Sequence, residues 1–187
     1  QMGKLTLALL IVIGSGSLAV AGKTPGAQLT LVSEVAAIQP GVPFTVALHI
    51  RHQPGFHTYW KNPGIVGVPT SIDWKLPEGF EAGPIRWPAP RIVDMATHPA
   101  HGYHRDVLLL TEITPPGRIA ASSITLEGRL TWMACSKTCH PGFATRRLTL
   151  PVGRDDKAKP DPRWAEAIAN ERRNLPTSSG LWTVTIE

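Results

Sequence analysis

The two cysteines of this chain stand at Cys135 and Cys139, within Thr131-Trp132-Met133-Ala134-Cys135-Ser136-Lys137-Thr138-Cys139-His140-Pro141. Four kinds of chemistry suit sulfur at this spacing: a structural disulfide, a metal clamp, a haem anchor, or a pair that exchanges electrons. As a staple the pair is weak. Closing a loop of about five residues gains roughly 2 kcal/mol in chain entropy, against about 4.7 kcal/mol for a hundred-residue loop. Short loops also tend to strain a bridge, which eases its reduction. Haem attachment calls for Cys-x-x-Cys-His, and here the spacing is one residue longer, Cys135-Ser136-Lys137-Thr138-Cys139-His140.

A metal site is a stronger alternative. Cys135 and Cys139, with His140 and Met133, form a soft ligand set suited to Cu(I) in a copper-binding or copper-tolerance module. Zinc also accepts Cys and His. His98, His101 and His104 recur at every third position, but the Pro and Gly among them argue against a helix that would align their rings. Thiol–disulfide exchange needs a thiolate, access for a partner, and a second cysteine to resolve the mixed disulfide. Lys137 and His140 favour a thiolate electrostatically. Spacing alone does not choose the attacking cysteine.

The elements that hold this loop read as strands. Pro and Gly punctuate short apolar runs, which predicts an all-β domain. Strands are expected around Leu29–Val32, at Phe44–Ile50, Phe56–Trp60, Ser71–Leu76, Val107–Ile113, Ile124–Ala134 and Ala144–Val152. In Phe44–Ile50 the residues Phe44, Val46, Leu48 and Ile50 share one face. The His-rich stretch Asp94–His104 reads as irregular. Along Ile124–Ala134, the residues Leu126, Gly128, Leu130, Trp132 and Ala134 form the core-facing set. Glu127, Arg129, Thr131, Met133 and Cys135 form the other, so Cys135 is expected to point outward near a sheet edge, within a partner's reach.

The N-terminus sets the compartment. Met2-Gly3-Lys4, the apolar run Leu5–Ile13, and Ala19-Val20-Ala21 read as a secretory signal peptide, residues 1–21, cut after Ala21. The run is too short for a membrane span, which needs roughly 20 apolar residues. Export allows disulfides to persist, yet two cysteines do not make a disulfide scaffold. Residues 22–155 suit one domain with its own core. In residues 156–187, Asp161-Pro162 opens a short helix carrying Trp164, Ala165, Ile168 and Ala169. Leu181–Ile186 then alternates as the beginning of a following segment of a longer protein. The net charge of +5 is scattered, without a basic run interleaved with aromatics, so no nucleic-acid partner is expected.

Five segments together carry a family resemblance. Gly55–Gly64 (GFHTYWKNPG), Leu76–Pro90, His101–Leu110 (HGYHRDVLLL), Leu130–Gly142 (LTWMACSKTCHPG) and Leu148–Gly153 occur in that order. The stretch Ala27–Gly153 resembles the N-terminal periplasmic domain of the DsbD/ScsB thiol:disulfide interchange proteins. The resemblance implies an immunoglobulin-like β-sandwich in the periplasm, tethered to the inner membrane through its parent, with Cys135 and Cys139 as the redox-active pair. It implies a thioredoxin-like domain as electron donor and oxidised periplasmic proteins, such as disulfide isomerases or cytochrome c maturation factors, as acceptors. No organic cofactor is called for. The compact cysteine spacing is closer to the ScsB branch, which is linked to copper tolerance. The family's cap loop would fall near His98–Tyr103, which makes His101 and Tyr103 the cap candidates.

Overall fold

The structure is a computed structural model that describes residues 25–95, 98–153 and 158–177. The signal peptide expected at residues 1–21 and the strand expected at Leu181–Ile186 lie outside them. Among the described residues ten strands and one helix follow in order: β1 (Ala27–Ser33), β2 (Phe44–His52), β3 (Thr58–Tyr59), β4 (Ser71–Lys75), β5 (Glu81–Ala82), β6 (Arg91–Met95), β7 (His98–Tyr103), β8 (Val107–Thr114), β9 (Ser123–Cys135), β10 (Cys139–Pro151) and α1 (Ala165–Arg173). Among the described residues no helix is long and apolar enough to cross a membrane.

Two sheets make a sandwich. One has the order β1-β2-β8-β5 and the other β10-β9-β4. Their inner faces meet in a core built from Leu29, Phe44, Val46, Leu48, Ile50, Leu109 and Ile113 on one side. Leu126, Leu130, Trp132 and Ala134 face them from the other. Both alternating sets expected from sequence face this core. Each strand hides one face at this interface because its apolar residues recur with the period of the pleat.

The outer face of the first sheet is covered as well. Val32, Ala47, Leu108 and Leu110 pack under Ile168, Trp164 and Leu175, so α1 lies across β1, β2 and β8. Asp161 starts the approach: its carbonyl accepts from the Trp164 and Ala165 amides, and its carboxylate from the Arg163 amide at 2.8 Å. The helix proper begins after that turn. Arg172 fastens its far end by donating to Glu34 and to the Thr45 hydroxyl.

A third, small sheet has the order β3-β7-β6. It corrects the expectation of an irregular segment at Asp94–His104. Residues 91–95 and 98–103 are paired antiparallel, from Arg91↔Gly102 to Met95↔His98. Pro99 is tolerated because β3 reaches only Gly102 and Tyr103, so β7 has no strand on its other side at Pro99.

His52 ties this sheet to the sandwich. Its Nδ1–H donates to the Arg105 carbonyl at 2.8 Å, and its Nε2 accepts from the Thr58 hydroxyl at 2.9 Å. Both bonds suit the neutral ring. Burial lowers the His52 pKa from 6.5 to about 4, against the raising pull of the Arg105 carbonyl and Asp106. The folded pKa lies below the unfolded one, so the unfolded chain takes up the proton first. The stability from neutral His52 is complete above pH 6.5 and is lost as pH falls to about 4. The loss is up to about 3 kcal/mol. Urea unfolding at pH 7.5 and pH 4.5 checks this: the wild type should lose stability, and His52→Gln should flatten the difference. An equal slope in both proteins would remove His52 as the cause.

Candidate functional site

The cysteine loop is a hairpin. β9 and β10 pair from Ser123↔Pro151 up to Cys135↔Cys139, leaving Ser136, Lys137 and Thr138 as the turn. The two cysteines are therefore direct cross-strand neighbours, with Cα atoms 4.1 Å apart, and they form a disulfide. β10 is an edge strand, which places the pair at the rim of its sheet.

Strand parity places Cys135 on the face away from the main core, as expected. Its expected exposure is overturned: Cys135 is 0% exposed. The third sheet folds over that face. His57, just before β3, exchanges two backbone hydrogen bonds with Cys135, at 2.9 and 3.0 Å. From this attachment Tyr59, Val93 and Ala100 pack with Cys135, and Val66, Met95, Met133 and Cys139 border the cluster. Cys139 is only half-buried. Its Sγ lies 3.6 Å from the thioether sulfur of Met95, the last residue of β6. The half of the disulfide that solvent can reach thus belongs to Cys139.

Beside the pair lies an open cleft of about 630 Å³, lined by Gly55, His57, Asp94, Met95, Ser136 and Lys137. Burial holds the His57 pKa below its usual value, only partly offset by Asp94. Its Nε2 stands 3.3 Å from the Tyr59 hydroxyl. Burial raises the pKa of that phenol. At neutral pH both groups are uncharged, so Lys137 and Asp94 supply the charges at the mouth of the cleft.

The other sequence candidates are dispersed. His140 follows Cys139 on the opposite face of β10, where its Nε2 lies 3.0 Å from the Thr138 hydroxyl and its ring 5.9 Å from that of Phe56. Met133 shares the face of Cys135 and joins its cluster. His101 is exposed on β7 with its ring 6.2 Å from Trp60. Tyr103 is buried in the main core and donates its hydroxyl to the Pro88 carbonyl at 2.8 Å. Neither lines the cleft; from this segment Ala100 packs against Cys135, and Met95 at the end of β6 lies against Cys139. His98 and His104 are exposed, and among the described residues no three His, Cys, Asp or Glu side chains gather as a metal site. His57, Tyr59, Val93 and Met95 were missed from sequence. The alternation Phe56-His57-Thr58-Tyr59 was the one available signal for the first two.

Residues 27–151 match the family model described as the N-terminal part of the thiol:disulfide interchange protein DsbD. No curated protein sequence matches the chain. Among solved structures, the N-terminal periplasmic domain of ScsB from Proteus mirabilis superposes with a TM-score of 0.59 at 22% identity. The match covers 85% of this chain and 58% of that one. At this identity the likeness is one of fold, the all-β immunoglobulin-like sandwich expected from sequence.

Proposed function

Because this chain belongs to the family of DsbD N-terminal domains, we propose that it is a periplasmic thiol–disulfide exchange domain working through Cys135 and Cys139. The observation that carries the reading is the asymmetric disulfide. One sulfur is sealed beneath the third sheet and the other is half-buried against Met95, in a domain whose main core and layer under α1 contain neither cysteine.

The exchange runs in balanced steps. A partner thiolate attacks Cys139 Sγ, the bond to Cys135 breaks, and Cys135 leaves as a thiolate that takes up a proton. The partner's second thiolate then attacks its own sulfur in the mixed disulfide and releases Cys139. The partner ends as a disulfide and this domain as a dithiol, two electrons richer. On a downstream oxidised protein, the Cys139 thiolate attacks and Cys135 resolves. Burial disfavours a thiolate at Cys135, which leaves Cys139 as the better nucleophile. The donor in this reading is a thioredoxin-like dithiol domain and the acceptors are oxidised periplasmic proteins. The parent protein is anchored in the inner membrane.

The direct test is equilibration in glutathione buffers together with the rate of exchange against a reduced thioredoxin-like protein. A potential above roughly −300 mV with measurable exchange is expected. A potential far below that value with no exchange would mark the bridge as inert.

A further inference from the structure

Four side chains among the described residues carry sulfur, and all four lie in one cluster: Met95, Met133, Cys135 and Cys139. Three come from the tip of the β9–β10 hairpin and the fourth, Met95, from β6, 44 positions before Cys139. Methionine serves as a core filler anywhere an irregular gap exists. Yet the main core and the layer under α1 contain none. Among the described residues the thioethers are confined to the surroundings of the cysteine pair.

The Met95 sulfur is 3.6 Å from that of Cys139, which in turn is bonded to Cys135. Reduction frees the two cysteine sulfurs from covalent contact. A trigonal ion with metal–sulfur bonds near 2.3 Å, the length of thiolate–zinc bonds, spaces its sulfurs about 4 Å apart. The Met95–Cys139 edge already has nearly that length. Two thiolates and a thioether form a soft set that selects Cu(I) over harder cations. Tyr59, Val93 and Ala100 wall the inner side with apolar surface, which disfavours ions that must keep water. Lys137 and Asp94 contribute one charge of each sign at the mouth.

We propose that the reduced domain binds one Cu(I) ion through the thiolates of Cys135 and Cys139 and the thioether of Met95. Two thiols give up their protons as the ion enters, and no electron is transferred. The ligand set differs from the one suggested by sequence, because His140 lies on the opposite face of β10 and Met95 takes the third place. The disulfide and the metal complex exclude each other, so a copper-loaded domain stands outside the exchange cycle until the ion is removed.

Anaerobic titration of the reduced protein with Cu(I), against a chromophoric Cu(I) chelator, tests the site. One equivalent should bind, with none held by the oxidised protein or by the Cys135→Ser, Cys139→Ser variant. Met95→Leu keeps the volume and should weaken binding at least tenfold, while Met133→Leu changes it less than threefold. X-ray absorption of the loaded protein should show three sulfur neighbours. The proposal is overturned by no binding, by equal binding to the oxidised protein, or by two sulfur neighbours with Met95→Leu unchanged. It is also overturned if Met133→Leu costs as much as Met95→Leu. These results are independent of exchange activity, since a domain inert toward dithiol proteins can still bind the ion.

Discussion

A Cys135→Ser variant is expected to accumulate a mixed disulfide with a dithiol partner, whereas Cys139→Ser forms none. The difference comes from burial. An attacking thiolate must reach a sulfur with a whole protein behind it. Cys135 is 0% exposed beneath Tyr59, Val93 and Ala100, while Cys139 sits half-buried on an edge strand beside the cleft. With Cys139 present and Cys135 removed, the adduct forms but has no internal thiol to resolve it, so it persists. With Cys139 removed, the remaining thiol is sealed and its ionisation is penalised by the same apolar surroundings. Electron relay falls to background in both variants. Non-reducing electrophoresis and mass spectrometry separate them, because the adduct should approach one per chain in Cys135→Ser and be absent in Cys139→Ser. An adduct through Cys135 would mean that the third sheet lifts away during exchange and that static exposure does not set the order of attack.

The legible part of this architecture was the part written in local periodicity. β9 alternates over its whole length, so its core face and the side on which Cys135 lies could be read directly. α1 was legible from Trp164, Ala165 and Ile168. Its resting place was not, because the surface beneath it is made by Val32, Ala47, Leu108 and Leu110, scattered over three strands. Their apolar character reads equally well as ordinary strand composition. The site failed in the same way. Cys135 and Cys139 announced themselves by type and spacing, but the lid that hides one of them comes from a segment broken by Pro99 and Gly102. Those residues read as breakers when strand neighbours are unknown. Pro99 is harmless where β7 lacks a second neighbour, and Gly102 is required where β7 has one. Met95 meets Cys139 across 44 positions of chain, and no period in the sequence encodes such a contact.

Gly102 offers the sharpest test of that lid. A Cβ at this position would lie 2.1 Å from the Thr58 carbonyl oxygen and 3.1 Å from a Val93 methyl. The first of these is backbone, and it belongs to the strand that pairs with β7 through Thr58↔Tyr103 and Tyr59↔Gly102. No rotamer change can relieve the clash, so Gly102→Ala must push β3 and β7 apart. Overpacking of this kind costs about 1–3 kcal/mol, and a backbone clash belongs at the upper end. The loss should fall on the third sheet first, because β3 and β7 pair through only two residue positions. Opening that sheet draws Met95 away from Cys139 and exposes Cys135 as a second point of attack, so reduction of the disulfide by dithiothreitol should accelerate at least tenfold, equivalent to about 1.4 kcal/mol in the opening equilibrium. Gly117→Ala is the matched control, since a methyl there meets nothing within 4 Å, and it should change neither stability nor reduction rate. Urea unfolding and the reduction kinetics are read on the same samples. If Gly102→Ala loses stability but is reduced no faster, the third sheet supports the fold without governing access to the pair. The attack on Cys139 would then be limited by Met95 and the turn Ser136-Lys137-Thr138 alone.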